Sequence, residues 1–190
     1  LRELGYEIEA SPRKGYLLRK KPDRLYPWEV GKGLKTRFIG REIEYYDRIS
    51  STNERAKELF PSRPPEGALV LAEEQIGGRG RLGRKWYAPP GGIWMTILLT
   101  PRLPTAELPK LTMVGAVALS KAIWQELGLE TLIKWPNDLL LEGKKISGIL
   151  TELTGELGRV EYLVLGVGIN VNQRQEDFPA ELGTKAGSLR

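Results

Sequence analysis

QIGGRGRLGRKW, residues 75–86, is the stretch around which the rest of this 190-residue chain is organised. Its glycines Gly77, Gly78, Gly80 and Gly83 alternate with Arg79, Arg81, Arg84 and Lys85. Glycine admits positive φ and lets a ligand approach the main chain, while interleaved guanidinium groups offer forked donors to phosphate or carboxylate oxygens. The pattern reads as an anion-handling loop. It lacks the GxxxxGK[ST] order of a P-loop, and although Gly78, Gly80 and Gly83 satisfy GxGxxG, no compact βαβ unit with a ribose-binding acid follows. A flexible basic surface loop or an RGG-like nucleic-acid tether fits the same stretch.

The elements on either side of the loop predict its setting. Residues 68–73, ALVLAE, fit a buried strand that delivers Gln75, and after Gly91-Gly92 the run Ile93–Leu99 fits a second. Upstream, residues 38–49 supply β-branched and aromatic residues leading into Ser50-Ser51-Thr52-Asn53. Ser51 and Glu54 have capping-box spacing, which predicts a helix running through Glu58, and polar groups at such an N-terminus can also meet a ligand. Downstream, residues 107–127 carry Leu108, Leu111, Val114, Val117, Ala118, Lys121, Ile123 and Trp124 in mainly helical spacing, with Gly128 as the stop. This predicts a long amphipathic helix on the sheet with Trp124 in the core.

From Thr131 the chain reads as an antiparallel meander with strands at 132–135, 139–141, 146–153 and 160–167 and turns at 142–143 and 155–158. Lys134-Trp135-Pro136-Asn137-Asp138 places a lysine, an amide and a carboxylate around a proline that fixes the backbone. Lys145 stands on a strand that soon becomes apolar. Facing the same way as those apolar residues it needs an anionic partner; otherwise it is a solvated lysine at a hairpin end. Gly166-Val167-Gly168-Ile169-Asn170 closes a strand with small residues and an amide, which suits a close backbone approach.

Composition limits the chemistry. With 41% hydrophobic and 28% charged residues the chain reads as a soluble globular protein with material for a sizeable core, and a formal charge of +5 favours anionic partners. No signal peptide or long apolar span appears, so a cytoplasmic location and no membrane partner are expected. The sequence contains neither Cys nor His. Disulfides, thiolate or imidazole metal sites and Ser-His-Asp or Cys-His catalysis are thereby excluded within this chain. Lysines, arginines, carboxylates, hydroxyls and backbone amides remain.

The first residues, LRELG, read as the last turn of a helix closed by Gly5. Residues 6–9 and 16–18 then flank Ser11-Pro12-Arg13-Lys14-Gly15 as a β-hairpin with a basic tip. This is either the remnant of a winged helix-turn-helix or an ordinary hairpin with a solvated turn. The expected organisation is a wing and helix end at 1–20, a Pro- and Gly-bearing linker at 21–37, and a main domain at 38–190.

Taken together, STN at 51–53, QIGGRGRLGRKW at 75–86, KWPNDL at 134–139, KKISGIL at 144–150 and GVGIN at 166–170 resemble the biotin protein ligase family. The pairing of GRGRxGRxW with KWPND is highly specific. The resemblance implies an α+β fold, a mixed β-sheet flanked by helices like the catalytic domain of class II aminoacyl-tRNA synthetases. It also implies that the hairpin is the wing of a bifunctional ligase and repressor of biotin synthesis, with DNA as a partner of the full-length protein and a homodimer as one form. The family's C-terminal SH3-like barrel is expected to be absent.

The activity so implied is activation of biotin by ATP with Mg²⁺ to biotinyl-5′-AMP, then transfer to one lysine of a biotin carboxyl carrier protein. By resemblance, Ser51, Thr52, Asn53, Gln75, Gly78, Arg79 and Lys145 bind biotin, and Gly148, Gly166 and Gly168 leave room for the biotin rings or the adenylate. Gly80, Arg81, Trp86, Asn137 and Asn170 serve the adenylate. Lys145, Arg79, Lys134 and Asp138 are the implied catalytic set, with Asp138 also toward the metal. Two alternatives stand beside this reading: a lipoate or octanoyl ligase of the same superfamily, which has a different basic loop, and a ligand-sensing DNA-binding regulator without catalysis.

Overall fold

In the computed structural model, which describes residues 1–156 and 159–190, the chain opens with a 3₁₀ turn at Arg2–Leu4, capped by Gly5 at φ 88°. The hairpin follows as β1 (Glu7–Ser11) and β2 (Gly15–Lys20), turning through Arg13 and Gly15, both with positive φ. The stretch read as a linker carries a short helix, α1 (Pro27–Gly31), and a buried anchor just before it. Tyr26 is 6% exposed; its ring lies 4.7 Å from Trp28, 5.3 Å from Tyr45 and 6.3 Å from Tyr6, centroid to centroid. Offset and tilted aromatic pairs of this kind add to the gain from burial. The hairpin is therefore tied to the body of the molecule through aromatic contacts.

The body is one seven-stranded sheet in the order β3-β4-β5-β9-β8-β7-β6, comprising β3 (Ile43–Tyr46), β4 (Leu69–Ala72), β5 (Ile93–Leu99), β6 (Leu132–Lys134), β7 (Asp138–Leu141), β8 (Lys144–Glu156) and β9 (Arg159–Ile169). β3 and β4 run parallel and every other neighbouring pair antiparallel, so the sheet is mixed. The meander is present as read, and β9 additionally returns to pair with β5. Glu142 and Gly143 turn β7 into β8 with positive φ at both positions, as a type I′ turn requires. Of the turn expected at 155–158, residues 157 and 158 lie outside the described residues.

Alternation along the strands gives the sheet two unlike faces. Leu163, Leu165, Val167 and Ile169 of β9, with Ile149 of β8, form one core with Leu108, Ala116 and Ile123 on and beside α3 (Lys110–Leu127). Val164 and Tyr162, from the same strand but the other face, form a second core with Val70 and with Ala56 of α2 (Thr52–Leu59). Helices thus flank a mixed sheet. α2 starts at the expected cap, Ser51 Oγ accepting from the Glu54 amide at 3.4 Å.

Helix α3 departs from the sequence reading in two ways. It begins at Lys110 because residues 105–107 form a separate 3₁₀ turn and Pro109, which lacks an N–H, stands at the N-cap. Its buried stripe runs through Leu111, Ala116, Leu119 and Ile123, so Trp124, expected in the core, is 59% exposed, beside exposed Val114 and Val117. Apolar residues on this helix occupy two arcs, and the sequence spacing merged them. Among the described residues, no helix is long and apolar enough to cross a membrane.

Candidate active site

The site lies on the α2 face of the sheet, where side chains are missing by design of the sequence. On β9, Gly166 and Gly168 point to this face, and register places Gly148 of β8 directly beside Gly168. Together they clear a trough across the middle of the sheet. A Cβ on Gly168 would lie 2.7 Å from Trp86 Nε1, one on Gly148 3.0 Å from Trp86 Cζ3, and one on Gly166 2.1 Å from Asn53 Oδ1. The indole of Trp86 and the amide of Asn53 therefore rest on bare backbone.

Lys145 reaches this trough because of a bulge. Leu139 pairs with Ser147 and Leu140 with Lys145, leaving Ile146 as an extra residue on β8. Without it, Lys145 would share the face of Ser147 and enter the α3 core; the bulge turns it to the face of Gly148. There its Nζ sits 2.7 Å from Asp138 Oδ1 and 5.2 Å from the centre of the Trp86 ring. The lysine is half-buried and paired, so the solvated alternative does not hold. Among the described residues Asp138 Oδ1 has no hydrogen bond of proper angle, so its contact with the ammonium is an ion pair. Trp86 Nε1 is likewise buried without a hydrogen-bond partner among the described residues.

KWPND forms the β6–β7 turn. Lys134 and Asp138 face each other across it, Trp135–Pro136 is a cis peptide, and Asn137 anchors the turn by donating to Ile149 O at 3.1 Å. Lys134 and Trp135 are exposed, while Asp138 turns inward.

The basic loop closes over this turn. Its root is fixed by two backbone bonds, Gly77 N donating to Ser50 O at 2.8 Å and Trp86 N to Gly78 O at 2.9 Å, and beyond them the tip begins where Gly80 N donates to Arg84 O at 2.7 Å. At its tip Arg81 Nη1 donates to Asn137 Oδ1 at 3.0 Å. Arg79 and Arg81 are exposed. The structure thus gathers Arg81, Asn137, Asp138, Lys145, Trp86 and Gly148 at one end of the trough. Asn170 is buried just past β9, where its Nδ2 donates to Gly187 O at 2.8 Å and its Oδ1 has no partner among the described residues.

At the other end, hydroxyls and amides interlock. Gln75 Oε1 accepts from the Thr52 amide at 2.8 Å, Thr96 Oγ1 lies 2.8 Å from Thr52 Oγ1 and donates to Asn53 Oδ1 at 2.6 Å, and Asn53 Nδ2 donates to Glu152 Oε2 at 2.7 Å. Lys57 Nζ holds the other Glu152 oxygen at 2.8 Å. Burial alone would raise the Glu152 carboxyl, but hydrogen bonds from Lys57 and Asn53 outweigh it and hold the group below its ordinary range. Thr96 and Glu152 were missed in the sequence; nothing in their local patterns marks them, since Asn53 is 43 and 99 residues away. Ser51 stands aside as the cap of α2.

Among the described residues there is no group of three or more His, Cys, Asp or Glu that could cage a metal. Asp138 supplies a single carboxylate, which suits Mg²⁺ held mostly by phosphate oxygens and waters.

Comparison with known proteins points the same way. A family model described as Biotin/lipoate A/B protein ligase family matches residues 45–170, which contain both glycine blocks and KWPND. The bifunctional ligase/repressor BirA of Bacillus spizizenii is 50% identical over 190 residues, all of this chain and 58% of that protein. The chain thus spans less than two thirds of that relative's length. The biotin protein ligase of Aquifex aeolicus, solved in complex with biotin and ATP, superposes with a TM-score of 0.66 at 34% identity, covering 78% of this chain and 60% of that one. The Leishmania major biotin protein ligase, solved with biotinyl-5-AMP, gives a TM-score of 0.64 at 27% identity, covering 78% and 63%.

Proposed function

The chain belongs to the biotin/lipoate A/B protein ligase family, and from that premise we propose that it activates biotin with ATP and passes the biotinyl group to a lysine of a biotin carboxyl carrier protein. The observation that carries this reading is the bulge that sets Lys145 on the glycine trough, beside Asp138 and beneath the basic loop. The first step brings an anionic carboxylate against a triphosphate. A carboxylate oxygen of biotin attacks the α-phosphorus, the bond to the bridging oxygen breaks, and pyrophosphate leaves with the electron pair. Preorganised cations are what such a step needs, and none of its proton bookkeeping calls for a histidine.

Lys145 neutralises the oxygens that meet at the α-phosphorus; Arg79 and Arg81, exposed on the loop, close on the phosphate side. Thr52, Asn53 and Gln75 hold the ring end, with Gly166 giving it room. Trp86 now covers Gly148 and Gly168, so it shifts to admit the ligand and then faces the adenylate. Asp138 is the carboxylate that would hold Mg²⁺, which supplies charge neutralisation on the triphosphate when bound. In the second step the neutral acceptor amine attacks the acyl carbon, the bond from that carbon to the phosphate oxygen breaks, AMP leaves with the electron pair and the amine's surplus proton passes to water; Lys134 and Asn137 line that approach. The need for ATP suits a cytoplasmic location.

Exchange of labelled pyrophosphate into ATP tests this directly. The chain should catalyse it only when biotin is present, and lipoate should not replace biotin. Lys145→Met should depress the exchange by roughly two or more orders of magnitude, with biotin binding falling less. Exchange within about threefold of the parent would remove Lys145 from the chemistry. Exchange driven by lipoate would move the chain to the other branch of its family.

The hairpin supports a smaller proposal. Arg13 and Lys14 at its tip give salt-sensitive, non-selective DNA association, because wings contact backbone while sequence is read mainly by a recognition helix. Tight discrimination between a palindromic operator and random duplex by this chain in a mobility-shift assay would overturn it.

A further inference from the structure

Behind the ring end of the trough lies a chain of hydrogen bonds whose direction can be read by counting protons. Glu152, ionised and acceptor-only, accepts a hydrogen bond from Asn53 Nδ2 at 2.7 Å. That turns Asn53 Oδ1 toward Thr96 Oγ1, 2.6 Å away, and an amide oxygen can only accept, so the single proton of Thr96 is committed there. Thr52 Oγ1 then lies 2.8 Å from the Thr96 oxygen and 3.1 Å from Gln75 Oε1, neither of which has a proton to give it. Whichever it serves, the one proton of Thr52 stays inside the network. To a substrate, Thr52 has lone pairs only.

The packing leaves this arrangement little freedom. Thr96 is 0% exposed in the middle of β5, opposite Gly166 in register, and Asn53 lies on the bare backbone of that glycine. Lys57 braces Glu152 from the far side at 2.8 Å. A neutral amide at position 152 would allow the reverse sequence: Asn53 turns over, Thr96 accepts from its Nδ2 and donates to Thr52, and the Thr52 proton, with Thr96 lost as an acceptor, is held by Gln75 Oε1 alone and can turn toward the site. The ionised carboxylate at one end thus sets the polarity of a hydroxyl three groups away.

We propose that Thr96 and Glu152 are positioning residues that hold Thr52 as a hydrogen-bond acceptor for a ureido N–H of biotin, and so set specificity for the ring end of the substrate. This rests on the biotin reading given above. A cyclic urea presents two N–H donors around one carbonyl, so an acceptor-only hydroxyl matches it and a released hydroxyl proton opposes it. Neither Thr96 nor Glu152 needs to touch the substrate.

The test uses the whole chain and the biotin-dependent exchange reaction. Because a buried partner of the network is lost, Thr96→Val should raise the KM for biotin by roughly tenfold while the KM for ATP stays within about twofold. Thr96→Ser, which keeps the hydroxyl, should restore biotin KM to within about threefold of the parent. Glu152→Gln reads the same chain from its other end and should also raise biotin KM with ATP KM unchanged; it keeps the proposal testable if Thr96→Val fails to fold. Biotin methylated on each ureido nitrogen in turn should bind the parent much more weakly at one of the two positions, and Thr96→Val should add little to that loss, because both changes remove one contact.

Unchanged biotin KM in Thr96→Val or in Glu152→Gln would overturn the proposal. So would a serine variant no better than valine with the same fall in melting temperature, or full additivity between methylation and the valine change. A parent chain with no biotin-dependent exchange would sink the functional reading itself, an outcome distinct from these.

Discussion

Gly77 and Gly78, at the root of the basic loop, and Gly80 and Gly83, at its tip, share a residue type and little else. A methyl group on Gly77 would sit 2.7 Å from Ser50 Oγ and one on Gly78 2.7 Å from the Trp86 carbonyl oxygen. At Gly80 the nearest atom is 3.7 Å away, and at Gly83 nothing lies within 4 Å. The root is glycine because two pieces of backbone touch there, and it holds Trp86 over the trough. The tip is glycine in open space, with the Arg81–Asn137 hydrogen bond fastening it to the β6–β7 turn. A single glycine-rich pattern thus contains a fixed junction and a cover that can lift.

An acyl-adenylate is a mixed anhydride open to water and to any amine, so a cover over it has an evident use. Substitutions can separate the two roles. Gly78→Ala should have the largest effect: overpacking costs about 1–3 kcal/mol, which for a chain of this size lowers the melting temperature by roughly 2–12 °C. Pyrophosphate exchange should fall with it as Trp86 is displaced. A variant as stable and active as the parent would mean that the root is not the packed junction described.

Arg81→Gly removes the fastening and leaves Lys145 and Asp138 in place. Exchange should persist while the adenylate escapes, so that bystander lysines on added protein become biotinylated without selectivity; blotting for biotin reads this out. The cover also predicts a ligand-dependent change in cleavage. Arg79, Arg81, Arg84 and Lys85 are exposed trypsin sites, and biotin with ATP and Mg²⁺ should slow cutting there. Equal cutting with and without the ligands, together with unchanged adenylate retention in Arg81→Gly, would leave the tip an ordinary basic loop.

Much of the fold was legible. The run Ile93–Leu99 coincides with β5 to the residue, the cap at Ser51 is in place, and the meander follows the apolar runs and turn residues, because each is encoded locally. The facing of Lys145 was not legible. It depends on a register shift between β7 and β8, and one extra residue on a strand reverses a side chain without altering the apolar pattern. Trp124 was misplaced because helical spacing alone cannot say which of two apolar arcs meets the sheet. Within the site, the motif blocks located the loop, the β6–β7 turn and the glycine trough. Thr96 and Glu152 stayed hidden because each looks like an ordinary strand residue until β5, β9 and β8 are laid side by side.

Acid should act on the carboxylates behind the trough. Glu152 and Glu44 are both held below the ordinary carboxyl value of 4.5 by hydrogen bonds, from Lys57 and Asn53 in one case and Arg55 and Tyr46 in the other, which outweigh burial. A carboxyl depressed in the folded state contributes stability above its unfolded value, and that contribution is lost as pH falls through the folded value. If biotin affinity depends on the Glu152 network as proposed, it should therefore hold through the ordinary carboxyl range and weaken only as pH falls beneath it. Gly80→Ala should have the smallest effect, within about 0.5 kcal/mol in a denaturant titration. A larger loss would erase the distinction between tip and root.

We propose that this site makes and holds biotinyl-5′-AMP under the basic loop. The most direct measurement is to incubate the chain with biotin, α-labelled ATP and Mg²⁺, separate protein from small molecules by rapid gel filtration, and identify the retained label. Biotinyl-5′-AMP should travel with the parent in stoichiometric amount, be formed but lost from Arg81→Gly, and be missing from Lys145→Met. A parent chain that retains no adenylate, or a Lys145→Met chain that retains as much as the parent, would contradict the account.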